Sequence, residues 1–325
     1  MIWMTWRQHR MQAMYLLLGM VVMAAALVPI GRSMHGAFDH DGLAACLRAN
    51  GNPEFISPQS GDQGCGDLAD LFTTRFGALI PLGVLLVLLP MLVGLFFGAP
   101  LVARELEHGT HRLVWTQGIS RLRWATTKFG LIVLAGLAAA AGYAALLTWW
   151  IEPLNKASGS RMIWLIFDLQ GVVPLAYTLF AIALGIAAGV VTRKLLPAMG
   201  VTLAAFIVVR VLIGWLARPH YQPQVVRRIP VVTDILPNDL HGDWVISSGV
   251  YDASGRQLVA HGSQFCPPDI AGRTPPDCDT GRYNLEHLQP AGRFWIFQWI
   301  EFGIFMALAA ALLAFAVYRV RRNLA

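Results

Sequence analysis

Lysine is nearly missing from this chain. Among 325 residues it occurs three times, as Lys128, Lys156 and Lys194, which follow Thr127, Asn155 and Arg193. A phosphate-cradling P-loop needs Gly directly before its Lys, so the chain holds no P-loop ATPase of its own. Charge is scarce altogether: 14% of residues are charged against 56% apolar, and the mean hydropathy is +0.53. A soluble domain carries about 25% charged residues, which excludes a water-soluble globule. No G-x-S-x-G, no H-E-x-x-H and no nucleophile–base spacing occurs, so the sequence offers no catalytic residue. His108 and His111 have no Cys or carboxylate constellation to complete a metal site, and they read as solvated loop residues.

What the chain has instead is long apolar runs. Six are long enough for the roughly 20 residues that a helix needs to span a bilayer. They are Met11–Gly31, Phe76–Ala103, Phe129–Ile151, Met162–Thr192, Leu195–Ala217 and Phe294–Tyr318. Lipid offers backbone polar groups no partner, so these runs must be helical. The fold class expected is an all-α polytopic membrane protein, one transmembrane domain over residues 1–325. The first run follows Arg7 and Arg10, as a signal peptide would, but it has 21 residues without a charge. A signal h-region has about 7–15, so the run reads as an anchor.

Basic residues set the orientation. With both termini in the cytoplasm, the inner segments hold Arg7, Arg10, Arg104, Arg112, Arg121, Arg123, Lys128, Arg193, Lys194, Arg319, Arg321 and Arg322. These twelve stand against two acidic residues, Glu105 and Glu107. That asymmetry is the positive-inside pattern, and it accounts for the net charge of +6 without nucleic-acid binding. The same orientation puts all four cysteines outside, where disulfides persist: Cys46 and Cys65 in the first outer loop, Cys266 and Cys278 in the second. Of three possible pairings, the local one is Cys46–Cys65 with Cys266–Cys278.

Several non-spanning pieces follow. Residues 1–10, with Ile2, Trp3 and Trp6 beside Arg7 and Arg10, suit a short helix lying in the interface. Residues 32–75 form a polar first outer loop. Residues 218–293 form a longer, Pro-rich outer loop or cap with strand-like pieces such as Trp244–Ser247. Residues 104–128 form a charged cytoplasmic segment, in which Gly109 interrupts a helical pattern and Ser120 can cap the helix leading into span 3. Gly185 and Gly189 make a GxxxG in span 4, a spacing that permits close helix packing.

Three ionisable residues fall inside the spans, where such residues are functional candidates. Asp168, Arg210 and Glu301 each lie about 10 Å below the outer ends at 1.5 Å per residue, so Arg210 is expected to pair with Asp168, Glu301 or both. An ion pair tying spans 4, 5 and 6 together is the leading reading, and substrate contact the alternative.

The string Val102-Ala103-Arg104-Glu105-Leu106-Glu107-His108-Gly109-Thr110, followed by Trp115-Thr116-Gln117 and Ser120-Arg121, carries an E-x-E-x-G-T pattern before a Ser-Arg turn. It resembles the loop after the second span of ABC-2 type permeases, the membrane subunits of ABC exporters. The closing Arg293-Phe294-Trp295-Ile296-Phe297-Gln298-Trp299-Ile300-Glu301 is similar to the last span of such permeases from high-GC bacteria. The large second outer loop departs from the family's minimal plan. The resemblance implies a coupling helix at about Arg104–Thr110, with Arg104, Glu105, Glu107, Gly109, Thr110 and Arg112 meeting a separate ABC ATPase subunit. It also implies ATP and Mg on that partner and no cofactor in this chain, a second permease copy, a bacterial plasma-membrane location, and export of a hydrophobic or amphiphilic substrate. Two alternatives stay open: a proton-coupled secondary transporter using Asp168 and Glu301, and a membrane sensor with ligand-binding outer loops. The chain shows no inverted repeat and no broken pair of short spans, which counts against the first.

Overall fold

The computed structural model describes residues 2–49, 63–109, 120–159, 161–232, 242–266 and 281–323. Six of its helical stretches are long and apolar enough to cross a membrane. Thr110, Arg112 and Cys278 lie outside the described residues.

Helix α1 (Ile2–His40) is continuous. No separate helix marks off the first ten residues, and α1 runs past Gly31 into the stretch expected as a loop. The described part of residues 32–75 is in fact mostly helical, with α2 (Leu43–Ala49) and α3 (Gln63–Gly77). The physical reason is a small apolar core: Phe38, Leu43, Leu47 and Phe72 are buried with Leu147 and Trp150 of α7 (Arg121–Ser158). A disulfide joins Cys46 of α2 to Cys65 of α3, with Cα atoms 5.8 Å apart. Cys266 is also disulfide-bonded.

The second span is built from short pieces: α4 (Ile80–Val87), α5 (Leu89–Val93), a π-helical turn (Gly94–Gly98) and α6 (Ala99–Glu107). Pro81, Pro90 and Pro100 each sit in the first turn of a piece, where the missing N–H costs least. The Ser120 hydroxyl caps α7 by accepting the Arg123 N–H at 3.3 Å, which anchors the start of the third span.

The fourth span corrects the uninterrupted run expected over Met162–Thr192. It is split into α8 (Trp164–Leu169) and α9 (Val173–Thr192). Gly171 between them has φ +73°, a left-handed conformation that only Gly adopts freely, and Pro174 opens α9. One ground against a proton-coupled carrier, unbroken spans, is thereby weakened. Helix α9 is the buried centre of the bundle. Its Gly185 meets the second span backbone to backbone: a Cβ there would fall 2.6 Å from the Ala99 nitrogen and the Gly94 oxygen. The GxxxG spacing therefore sits at a real close approach. Around the other side of α9, Tyr177 and Phe180 pack on Phe305, with ring centroids 4.8 and 5.2 Å apart.

Helix α10 (Leu195–Leu212) continues through a π-helical turn (Ile213–Ala217) into a 3₁₀ turn (Arg218–His220). Between this turn and α11 (Phe294–Asn323) lies an antiparallel sheet of β1 (Val225–Pro230), β2 (Trp244–Tyr251), β3 (Gln257–Val259) and β4 (Tyr283–Gln289), in the order β1-β4-β2-β3. In β1–β4 register Arg227 faces Glu286, and the two form an ion pair at 2.9 Å. Gln289 holds the sheet against the bundle, its amide donating to the Pro219 and Gln222 carbonyls at 3.2 and 2.8 Å.

Candidate functional site

The interrupted fourth span, the end of α10 and the start of α11 meet in one buried cluster of charge. Asp168 is nearly the last residue of α8, Arg210 lies in the last turn of α10, and Glu301 lies on α11. Arg210 donates to Asp168 Oδ2 at 2.5 Å and reaches Glu301 Oε1 at 3.5 Å. The sequence left open which carboxylate Arg210 meets; the geometry gives it both, Asp168 the more closely.

The cluster holds a fourth charge that sequence reading placed in the outer loop. Arg218 is buried at 3% exposure. Its Nε donates to Glu301 Oε2 at 2.8 Å, and its Nη2 lies 2.7 Å from both Glu301 Oε1 and Asp168 Oδ1. The spacing held a signal: Arg210 and Arg218 are eight residues apart, about two helical turns, so both share a face if the helix continues past Ala217. With two arginines and two carboxylates, the site is balanced in charge.

Tyrosines complete it. The Tyr177 hydroxyl lies 3.1 Å from Asp168 Oδ1 and also hydrogen-bonds Glu301 Oε1. Its single proton serves one of them at a time, while Arg218 Nη2 donates to its oxygen at 3.2 Å. The Arg210 guanidinium stacks 3.6 Å above the Tyr177 ring, and that of Arg218 lies 4.3 Å over Phe167. Tyr221, one residue beyond the 3₁₀ turn, donates to Glu301 Oε2 at 3.2 Å; burial, and next the Glu301 carboxylate, push its hydroxyl well above the usual tyrosine range.

Gln298, one turn before Glu301, keeps the break in place. Its Oε1 accepts the N–H groups of Val172 and Val173, each at 3.1 Å, and its Nε2 donates to the Phe167 carbonyl at 2.9 Å. One side chain thus satisfies the backbone on both sides of the interruption, which lipid would leave unpaired. A Cβ on Gly171 would fall 2.6 Å from Gln298 Oε1, so that position needs Gly for space as well as for φ.

At the opposite end of the bundle, no separate helix begins at Arg104. Residues 104–107 are instead the last turn of α6, continuous with the second span. Gly109, at φ +70°, lies just past the helix end, and among the described residues nothing comes within 4 Å of where a Cβ would be. It terminates the helix through its conformation, not through a close contact with the described residues. Glu105 turns inward and forms an ion pair with Lys128 of α7, whose ammonium also lies 5.2 Å over the Trp124 ring. Glu107 Oε2 accepts the Leu195 N–H at the start of α10, at 2.9 Å. Arg104, Glu107 and His108 are exposed. Among the described residues, no group of three or more His, Cys, Asp or Glu is placed to hold a metal ion.

A family model described as ABC-2 membrane transporter related matches residues 17–218. The match begins inside the first span, covers the second to fifth, and stops at Arg218, before the sheet and α11. Against curated proteins and against solved structures the chain has no match.

Proposed function

Since the chain belongs to the ABC-2 membrane transporter related family, we propose that it is the permease subunit of an ATP-driven exporter working with a separate ATPase subunit. It is a multi-pass membrane component. In this reading ATP and Mg sit on the partner, since this chain has no Gly-Lys dipeptide to cradle a phosphate. A second copy of the permease completes the transport path. The substrate is hydrophobic or amphiphilic, in keeping with apolar walls. Both termini face the cytoplasm of a bacterium and the sheet lies outside, supported by the twelve inner basic residues.

The observation that carries the reading is the end of α6. Its exposed Arg104, Glu107 and His108 form a charged tip on the second span, yet the same turn is tied to α7 through Glu105–Lys128 and to α10 through Glu107. A partner pressing on that tip would move three spans together. Glu105 supports this as an internal strut, leaving Arg104, Glu107 and His108 to meet the partner.

The test is co-purification with a co-expressed ATPase subunit and the ATP hydrolysis of the complex. Arg104→Glu with His108→Glu should release the ATPase while the permease itself stays folded, and unchanged recovery and hydrolysis would sink the reading. The break beside Asp168 keeps the proton-coupled carrier as a second reading. Against it, each carboxylate already faces two guanidinium groups. Transport driven by a proton gradient without ATP would make it the first.

A further inference from the structure

Where α7 begins and α11 ends, the two helices leave an open, largely apolar groove of about 510 Å³ between them. Gly130 and Val133 of α7 line it with Leu313, Ala314 and Val317 of α11, and Arg321 stands at its end. We infer that this groove seats one acyl chain of an anionic glycerophospholipid from the surrounding bilayer, with the lipid's phosphate drawn to Arg321 and Arg123.

The room for a chain comes first. Trp124, Ala125 and Phe129 of α7 share one buried cluster with Ala316 and Val320 of α11, so the helices are packed here and the groove lies beside the contact. A Cβ on Gly130 would meet nothing within 4 Å among the described residues, so no described side chain fills the space over that glycine. From Thr126 to Val133 the groove follows α7 for about 10 Å. One leaflet's hydrocarbon is about 15 Å deep, half of the roughly 30 Å core, so the groove takes the upper part of one chain. The hydroxyl of Thr126 donates to the Leu122 carbonyl at 2.9 Å, which leaves the α7 wall presenting hydrocarbon.

Charge at the mouth selects the head group. Arg321 is exposed one turn past Tyr318, where the apolar run of α11 ends, and Arg123 is exposed one turn before Thr126. Neighbouring Arg319 and Arg322 lie over the Phe315 and Tyr318 rings at 6.0 and 5.1 Å. Arg123 and Arg321 form no ion pair with a carboxylate among the described residues. A basic residue at head-group level favours anionic lipid about fivefold. A second copy of this chain is the poorer occupant: a twofold contact uses the same patch on both copies and would set these arginines against one another. A lipid seated here would tie the third span to the sixth.

The test is native mass spectrometry of the full-length chain from phosphatidylcholine nanodiscs with a minor share of phosphatidylglycerol, both carrying the same acyl chains. Phosphatidylglycerol should be retained about tenfold above its bulk share, and Arg123→Gln with Arg321→Gln should bring it down to that share. Gly130→Phe keeps both arginines but fills the groove, and it should do the same while the melting temperature in detergent holds. Ala314→Phe fills the groove from the α11 wall and takes its place if Gly130→Phe does not fold. Gly19→Phe, at a glycine on α1 with similar open space, should change nothing. Undiminished retention in the groove-filling variants means that charge alone draws the lipid, and it overturns the inference. Displacement by soluble glycerophosphoglycerol, which has the charge but no chain, overturns it too. So does a loss of dimer mass in Gly130→Phe with lipid retention unchanged, which gives the groove to a second copy.

Discussion

Arg218 should matter more to the bundle than Arg210, although only Arg210 lies well inside a span by sequence. Each guanidinium touches both carboxylates, but unequally. Without Arg210, Asp168 keeps Arg218 at 2.7 Å and Tyr177 at 3.1 Å. Without Arg218, Glu301 keeps only the distant Arg210 at 3.5 Å and two tyrosines. Glu301 has no exposed surface, so it cannot turn to water for compensation. Removing one partner of a buried pair costs about 3–5 kcal/mol, and Arg218→Met should reach that range. A larger domain loses about 2–4 °C per kcal/mol, so melting in detergent should fall on the order of 10 °C. The decisive variant is Arg218→Met with Glu301→Gln, which restores charge balance and leaves Asp168 with Arg210. It should recover about half of the loss, a coupling within the usual 0.5–3 kcal/mol for contacting residues. If the double variant melts as low as the single one, or if Arg210→Met costs as much as Arg218→Met, the charge accounting is wrong.

Four further outcomes are expected. Arg210→Ala should impair assembly or transport while Arg210→Lys is partly tolerated, because lysine keeps the charge but not the stacking over Tyr177; size-exclusion profiles and transport assays report both. Gln298→Leu strands two N–H groups and a carbonyl at the break, and at about 1–3 kcal/mol for each buried unmade bond it should clearly lower the melting temperature of the detergent-purified chain. Gly109→Ala meets no steric block among the described residues, so its expected penalty is that of the left-handed backbone, about 1–2 kcal/mol, readable in the melting of the detergent-purified chain. In the sheet, burial raises the Glu286 carboxyl above its usual range, with Arg227 offsetting part of it. A carboxyl raised in the folded state loses stability as pH rises through that folded value, so the sheet should melt higher at about pH 4–5 than at about pH 7, and Glu286→Gln should flatten the difference.

The six spans were legible because hydrocarbon allows few structures: an apolar run of sufficient length has to be a helix. Asp168, Arg210 and Glu301 were legible for a related reason, since an ionisable residue at that depth needs a partner and equal depth proposes one. The break in the fourth span was harder. Gly171 and Pro174 mark it locally, but both are ordinary in membrane helices. What makes the break tenable is Gln298, more than a hundred residues away, supplying both donor and acceptor. The helical content of residues 32–75 was hidden in the same way, because Phe38, Leu43 and Phe72 read as scattered until Leu147 and Trp150 of α7 bring them together.

Arg218 shows most sharply where sequence reading failed. Counting it as a loop residue assumed that the fifth span stops where its apolar run stops, at Ala217. The helix instead continues through a π-helical turn and a 3₁₀ turn, and Pro219 fits the first turn of the latter, where it gives up no needed hydrogen bond. That extension carries Arg218 back over Phe167 to the two carboxylates. It also places β1 only a few residues further on, and Gln289 then binds the carbonyl of Pro219 itself. The sheet, the broken fourth span and α11 are therefore joined through one turn whose Arg218 pairs with both Asp168 and Glu301. A displacement of the sheet would therefore reach the break as well as the start of α11, because the turn that anchors the sheet through Gln289 is the turn whose Arg218 meets the carboxylates.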